Sequence, residues 1–329
     1  MREMDKSFSA LRIHVEDGAR RVSLDTLTDA DLPPGDVTVR VEHSSMNYKD
    51  ALILSGKVGA VAGYPHVPGI DLAGVVEAST DSRYPAGTRV VGTGKGLGEA
   101  VWGGYTRRTR LPADRLLPLP DRLDTRTAMI FGTAGLTAAL CLLEFGEAPG
   151  DGRPALVTGA GGGIGSLAVA LLAARGFTVT AVEKRADDRD FLDSLGASTV
   201  LEPEAFAAMA PAPLGEPRFA VVVDTVGGPV LAQALRTAAY GATIAACGMV
   251  AGFDVPMTLH PFFARAIRLV GIDSVTCSDA LRTQAWSVLA EAAPQLPLAV
   301  IAREVPLADV PAEVENFLAG RIRGRLVVS

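Results

Sequence analysis

The sequence predicts an α/β protein in which a β-rich domain precedes a doubly wound, parallel-sheet domain. Three observations predict it. Residues 8–125 read mostly as strands broken by turn signals. From Thr125 onward, Ala-rich helical stretches alternate with β-branched runs. A glycine turn, Gly159 to Gly163, joins the first of those runs to an Ala/Leu-rich helical stretch.

In the first part, Asp36, Val37, Thr38, Val39, Arg40, Val41 and Glu42 alternate polar with apolar, which predicts an antiparallel sheet with one wet face. Leu32 to Gly35, Val67 to Gly69 and Pro85 to Gly87 supply turns. Residues 45–52 leave the alternation and predict a strand end running into a short helix, with a polar cluster that is either a site or a cap. In the second part, strands are expected over residues 155–158, 178–183, 199–201, 219–225, 242–247 and 268–272. After about Pro294 the chain returns to short strand-like pieces, a helix over 310–319 and a last strand over 325–328. The expected domains are therefore residues 1–124, residues 125–294, and a return segment, 295–329, that completes the first. Internal repeats are absent, and the one biased tract is the Pro/Ala-rich linker over 209–217.

Composition narrows the function. A chain of 329 residues with 48% hydrophobic side chains and 35 glycines can bury a large core and fits a globular enzyme. Its net charge of −6 disfavours nucleic acid and anionic membranes as partners. The cysteines, Cys141, Cys247 and Cys277, lie too far apart for a disulfide framework or a metal knuckle, and a reducing, cytoplasmic location is expected. Residues 1–15 alternate charge and do not resemble a signal peptide, and no run reaches the roughly 18 uncharged apolar residues of a membrane span. His14, His43, His66 and His260 show no ligand spacing and are expected to be structural.

The glycine turn carries the first chemistry. In the pattern G-x-G-x-x-G its three positions are held by Ala160, Gly162 and Gly165, so the first glycine is replaced. Standing between a strand and a helix, Gly161, Gly162, Gly163, Ile164, Gly165 and Ser166 are expected to cradle a dinucleotide pyrophosphate on free amides and a helix dipole. About twenty residues further on, Glu183 would accept the ribose hydroxyls of NAD, whereas Lys184 and Arg185 suit the 2′-phosphate of NADP. A charge-assisted contact to phosphate contributes about 1.5–3 kcal/mol. Two cations outweigh one carboxylate free to turn into solvent, so NADP is the expected cofactor.

Several separated motifs resemble those of the medium-chain dehydrogenase/reductase superfamily, and more narrowly its zinc-independent quinone-oxidoreductase branch and acryloyl-CoA reductase group. They are Ser45 to Ala51, Val67 to Gly74, Gly98 to Gly104, Gly132 to Ala138, the glycine turn, Leu195 to Ala197, Asp224 to Gly227, Cys247 with Gly248, and Gly271 to Ser274. They span nearly the whole chain in the family's order. The resemblance implies a GroES-like catalytic domain and a Rossmann nucleotide-binding domain, with NADPH as cofactor. It also implies departures. Asn47 stands where the zinc alcohol dehydrogenases carry their first cysteine, and Gly69, Ile70 and Asp71 stand where they carry Gly-His-Glu, so no catalytic metal is expected. A small polar residue is usual in the resembled group where this chain has Glu183.

By the same resemblance, Tyr48 lies against the nicotinamide and Thr133 near its amide, although Thr133 can equally cap the following helix. Thr225, Gly248 and Ser274 fall at or beyond ends of parallel strands, where ligands of such sheets bind. Asn47 and Tyr48 are the catalytic candidates, against a reading in which Asn47 caps a helix and Tyr48 packs in the core. Asp71 reads as a structural hydrogen-bond acceptor. Arg107, Arg108 and Arg110 either meet CoA phosphates or edge a solvated strand.

The expected reaction is hydride transfer from NADPH to the β-carbon of an activated alkene, then protonation at the α-carbon by Tyr48 or water. Acryloyl-CoA or another short 2-enoyl-CoA is the favoured substrate. A quinone or enone oxidoreductase is the alternative, and a non-catalytic NADPH-binding sensor a further one. Relatives commonly form dimers, and residues 271–275 are the candidate contact in a homodimer.

Overall fold

In the computed structural model, residues 7–57, 61–146, 151–210 and 214–329 are described. Residues 1–6 of the N-terminal stretch and residues 211–213 of the Pro/Ala-rich linker lie outside them. Two compact units form: the chain up to Thr133 together with Ala302–Ser329, and Ala134–Ile301. The divisions thus fall after Thr133 and Ile301 rather than at 124/125 and 294/295. Helix α2 (Thr125–Glu144) opens in the first unit and is interrupted at Gly132, while residues 298–301 remain helical rather than strand-like.

In the first unit a two-stranded hairpin, β1 (Phe8–Glu16) with β2 (Ala19–Leu27), accompanies a seven-stranded sheet. The sheet comprises β3 (Val37–Met46), β4 (Asp71–Ser79), β5 (Arg89–Thr93), β6 (Arg108–Leu111), β7 (Leu117–Pro118), β14 (Ala302–Val305) and β15 (Arg325–Val328). Its path runs β14, β15, β3, β4, β5, β7, with β6 also paired to β3. The return segment therefore builds one side of this sheet, with β14 at the edge and β15 between it and β3: Val327 of β15 is opposite Ser45 of β3 in an antiparallel pair. Helix α1 (Tyr48–Ser55) follows β3 after Asn47, and α4 (Val310–Leu318) precedes β15.

The expected alternation holds over the start of β3, where Asp36 and Arg40 are exposed and Glu42 is half-buried, with Thr38 the exception. Val37, Val39 and Val41 pack with Leu72, Val76 and Val90 on one side. Thr38 on the other side is also buried, because the Arg110 side chain crosses it and donates to its hydroxyl at 3.2 Å. Arg108 is likewise engaged, pairing with Asp29 and Glu77.

The second unit is a six-stranded, all-parallel sheet. Its strands are β8 (Pro154–Thr158), β9 (Thr178–Val182), β10 (Ala197–Leu201), β11 (Phe219–Asp224), β12 (Ala238–Ala246) and β13 (Arg268–Gly271). They lie in the order β10, β9, β8, β11, β12, β13, so the chain reverses direction across the sheet between β8 and β11. This is the doubly wound order, and ligands bind where that reversal occurs. Leu156, Val182, Val222 and Ile244 from four strands pack with Phe206, Leu231 and Leu235. Helix α3 (Gly163–Ala174) follows β8 across the glycine turn. Helix α2 is long and apolar enough to span a membrane by length and composition, but 78% of its apolar window is buried inside the protein.

Candidate active site

The glycine turn leaves β8 at the centre of the parallel sheet. Gly162 caps α3 with extended backbone, and Ser166 N donates to Gly162 O at 2.9 Å. The amides of the first helical turn before Ser166 have no intrahelical acceptor and point out of the helix end. Gly162, Gly163 and Ile164 are half-buried, whereas Gly161, Gly165 and Ser166 are buried. The six predicted residues thus divide. Gly162, Gly163 and Ile164 leave the helix end accessible; Gly165 admits close packing, since a Cβ there would meet the Gly159 carbonyl and Ala160 Cα. A Cβ on Gly162 would meet only Gly159 O at 3.4 Å, leaving room for a phosphate to approach the backbone. This geometry fits a dinucleotide pyrophosphate.

Glu183 stands one residue beyond β9, and it has not turned into solvent. It is 6% exposed, and its Oε2 accepts from Gly161 N at 2.7 Å. Its Oε1 accepts from Lys184 N at 3.0 Å and Arg185 N at 3.2 Å. Arg185 reaches back to the same carboxylate, Nε to Oε1 at 3.3 Å, and pairs through Nη2 with Asp188 at 2.6 Å. Lys184 is exposed.

Thr225, Gly248 and Ser274 follow the C-terminal ends of β11, β12 and β13. The hydroxyl of Thr225 donates to Thr158 O at 2.8 Å, and that of Ser274 accepts from Thr137 at 2.9 Å. Gly248 lies so close to Thr225 that a Cβ would meet the Thr225 carbonyl. These residues shape the strand ends; the hydroxyls of Thr225 and Ser274 are engaged within the unit.

In the first unit, Asn47 and Asp71 belong to a buried polar network. Asn47 follows β3 directly and caps α1, and the Asp50 carboxylate accepts its backbone N–H at 2.8 Å. The Asn47 amide Nδ2 donates to Asp71 at 2.8 Å and to Asp50 at 3.2 Å. Its Oδ1 accepts from Arg325 Nη1 at 3.2 Å. Asp71 also accepts from Ser45 Oγ at 2.6 Å, from Thr133 N at 2.9 Å and from Thr133 Oγ1 at 2.5 Å. Arg325 is 2% exposed, donates to Ser45 Oγ at 2.8 Å and to Ile130 O at 3.0 Å, and lies 3.9 Å from Asp71. Burial, and then the charge of Asp71, pushes the Asp50 carboxyl up to about 7. Burial lowers the Arg325 guanidinium, against the opposing pull of Asp71 and Asp50. Burial also drives the Tyr105 phenol upward, with Asp50 and Asp71 adding to it.

This arrangement redistributes the predicted roles. The Asn47 amide hydrogens go to the Asp50 and Asp71 carboxylates and its oxygen to Arg325, which ties the side chain into the network at the start of α1. Thr133 stands just past the interruption of α2 at Gly132, and its backbone N–H and hydroxyl both donate to Asp71. Tyr48, the first residue of α1, is 47% exposed and so is not a core side chain. Sequence reading missed Arg325 and Asp50. A capping pattern, Asn47 with an acid three residues on, signalled Asp50; nothing local to residue 325 signalled Arg325, which meets Asn47 only through the β15–β3 pairing.

The donors available near Asn47 are an amide, two carboxylates and a guanidinium, and among the described residues no group of three or more His, Cys, Asp or Glu is placed to hold a metal. With a fixed cation already beside Asp71, these residues do not fit a catalytic zinc.

A parallel sheet of this order, with a glycine cradle at its reversal point and a discontinuous β-rich unit, defines a dinucleotide-dependent oxidoreductase fold. Residues 33–121 match the alcohol dehydrogenase GroES-like domain family, and residues 163–291 match the zinc-binding dehydrogenase family. Acrylyl-CoA reductase AcuI of Ruegeria pomeroyi is 45% identical over 316 residues, 95% of this chain and 96% of that one. Escherichia coli K-12 YhdH, solved with bound NADPH, superposes with a TM-score of 0.90 at 43% identity, covering 97% of this chain and 99% of that one. Bacillus subtilis YhfP, solved with NAD bound, gives 0.92 at 37% identity, covering 98% and 99%. The chain belongs to the medium-chain dehydrogenase/reductase superfamily, within its acryloyl-CoA reductase group.

Proposed function

We propose that this protein is an NADPH-dependent reductase of short 2-enoyl-CoA thioesters, with acryloyl-CoA its foremost substrate. The observation that carries this reading is the 45% identity to an acrylyl-CoA reductase over 95% of the chain. When bound, reduced nicotinamide supplies the hydride that adds to the substrate β-carbon. The chain's own residues do the remainder. Gly162, Gly163 and Ile164 hold the pyrophosphate, and Lys184 and Arg185 meet the adenosine end of the cofactor. Tyr48 Oη donates a hydrogen bond to the thioester oxygen as enolate charge develops, and the α-carbon takes its proton from that phenol or from a water. Asn47 and Thr133, tied to Asp71, fix the segment from which Tyr48 projects. Hydride addition to a conjugated double bond needs no Lewis acid, consistent with the donor set around Asn47.

Two copies are proposed to pair along β13, the edge strand that leads into residues 271–275. Phe253, Leu259 and Phe263 of the same unit are exposed and offer apolar area. The cytoplasm is the proposed location, supported by cysteines that all remain free thiols.

The test is NADPH oxidation with acryloyl-CoA, crotonoyl-CoA and p-benzoquinone under identical conditions. The highest kcat/KM is expected with acryloyl-CoA. A higher value with p-benzoquinone would make the protein a quinone reductase, and binding of NADPH without oxidation by any of the three would make it a sensor.

A further inference from the structure

We infer that Asp224 is a positioning residue for the cofactor: by fixing the direction of the Thr158 hydroxyl it locks Thr225 as a wedge between the glycine turn and the residues just past β12. This rests on NADPH binding at that turn. Thr158 and Asp224 are the last residues of β8 and β11, lie opposite one another in the parallel register and are fully buried. They stand where the sheet reverses, which is where ligands of such sheets bind. An ionised carboxylate only accepts, whereas a hydroxyl both donates and accepts. Asp224 Oδ2 takes the Gly227 N–H at 2.8 Å, and its Oδ1 takes the Thr158 hydroxyl proton at 2.7 Å. With that proton committed, Thr158 Oγ1 presents its lone pairs and accepts from Thr225 N at 3.1 Å. The Thr225 hydroxyl returns the contact, donating to Thr158 O at 2.8 Å. Burial raises the Asp224 carboxyl, and the donors from Thr158, Gly227 and Val226 oppose that rise.

Thr225 is hemmed on two sides. A Cβ on Gly159 would meet Thr225 Oγ1, and one on Gly248 would meet the Thr225 carbonyl. The Gly159 carbonyl in turn accepts from Gly162 N at 3.1 Å, so the wedge bears on the residue that caps α3. On the far side, Cys247 N donates to Asp224 O at 2.9 Å. Three strand ends thus keep their spacing through one hydroxyl, whose direction is set by one carboxylate. An amide in place of that carboxylate cannot serve both neighbours. In one orientation the Thr158 proton loses its acceptor, and in the other the Gly227 N–H does. The consequence falls on nucleotide affinity rather than on hydride transfer.

The experiment measures NADPH dissociation constants by nucleotide fluorescence, well below each melting temperature, with KM for NADPH and kcat on acryloyl-CoA alongside. It compares the parent, Asp224→Asn, Thr158→Val, Thr158→Ser and the double variant Asp224→Asn with Thr158→Val. Asp224→Asn and Thr158→Val should each weaken NADPH by about tenfold, with KM rising in step and kcat falling by a smaller factor. Thr158→Ser keeps the hydroxyl and should stay within about threefold of the parent. The double variant should be within about threefold of the weaker single variant, because both changes remove the same bond. Lowered melting temperatures with dissociation constants unchanged within about twofold would make the pair merely structural and overturn the inference. So would a Thr158→Ser variant as weak as Thr158→Val, or a double variant whose losses multiply. If Asp224→Asn does not fold, the contrast between Thr158→Val and Thr158→Ser decides alone. All of those outcomes leave NADPH binding by the parent intact; a parent that does not bind NADPH overturns the cofactor reading as well.

Discussion

Arg325 and Asn47 are joined by a hydrogen bond of 3.2 Å across 278 positions of sequence. The contact places the first residue of β15 against the cap of α1, and it brings a buried cation into the group holding Asp50 and Asp71. Removing one member of a buried ion pair typically costs about 3–5 kcal/mol. Arg325→Met should destabilise the first unit by that order, read as a lowered midpoint in urea. Adding Asp71→Asn should restore part of the loss. A midpoint unmoved by Arg325→Met would show that the guanidinium does not compensate these carboxylates.

Gly132 interrupts α2 with φ of 51° and ψ of −152°, a conformation that only glycine adopts readily. A Cβ there would also meet the Asp71 carboxylate, Ser45 Oγ and Arg325 Nη2. Gly132→Ala should therefore destabilise the protein by about 2–4 kcal/mol, combining backbone strain with disruption of the network. Thermal unfolding checks it; a melting temperature equal to the parent's would contradict the interruption.

Gly162 differs in kind. Its Cβ direction is open, so Gly162→Leu should leave thermal stability nearly unchanged while obstructing the cradle. NADPH affinity, measured by fluorescence, should fall by about a hundredfold or more. Unchanged affinity would remove Gly162 from the site.

Tyr48→Phe tests the proton donor. If the phenol donates, kcat should fall by about 10²–10³ with little change in KM. A rate equal to the parent's would assign the proton to water.

Asp50 carries a pH dependence. Its carboxyl is raised from 3.8 to about 7, so between those values the folded protein binds a proton that the unfolded chain has released. Folding stability from this group is greatest below about 4 and declines as pH rises towards 7. Asp50→Asn keeps an acceptor for the Asn47 N–H and has no such titration. Relative to the parent, the variant should gain stability progressively from pH 4 to pH 7 in urea titrations. A parent-minus-variant difference that stays flat over that range refutes the assignment.

Much of this architecture was legible in the sequence because its signals are local. Apolar runs between Ala-rich stretches marked all six parallel strands, and residues 310–319 and 325–328 were read nearly as Val310–Leu318 and Arg325–Val328. The glycine turn was legible because a strand and a helix flank it. What escaped depends on pairing between distant segments. The burial of Thr38 needs Arg110 laid across it by the β3–β6 register. The inward commitment of Asn47 and Thr133 needs Asp71 and Arg325. Glu183 was expected to swing outward because a lone carboxylate prefers water, yet three backbone amides hold it inward. Only the fold delivers the Gly161 amide to it, since Lys184 and Arg185 are its own neighbours.

The interleaved path of the chain has a consequence for biosynthesis. β15 fills the gap between β14 and β3, and residues 302–329 leave the ribosome only after the whole of Ala134–Ile301. Until then β3 keeps a bare edge, and Asp50 and Asp71 wait in an apolar setting without their guanidinium. The nucleotide-binding unit can mature while translation continues; the other cannot close until residues 302–329 have been made. A premature stop before Arg325 therefore gives a product with half its architecture competent and a sticky strand exposed, one suited to capture by chaperones rather than to partial function.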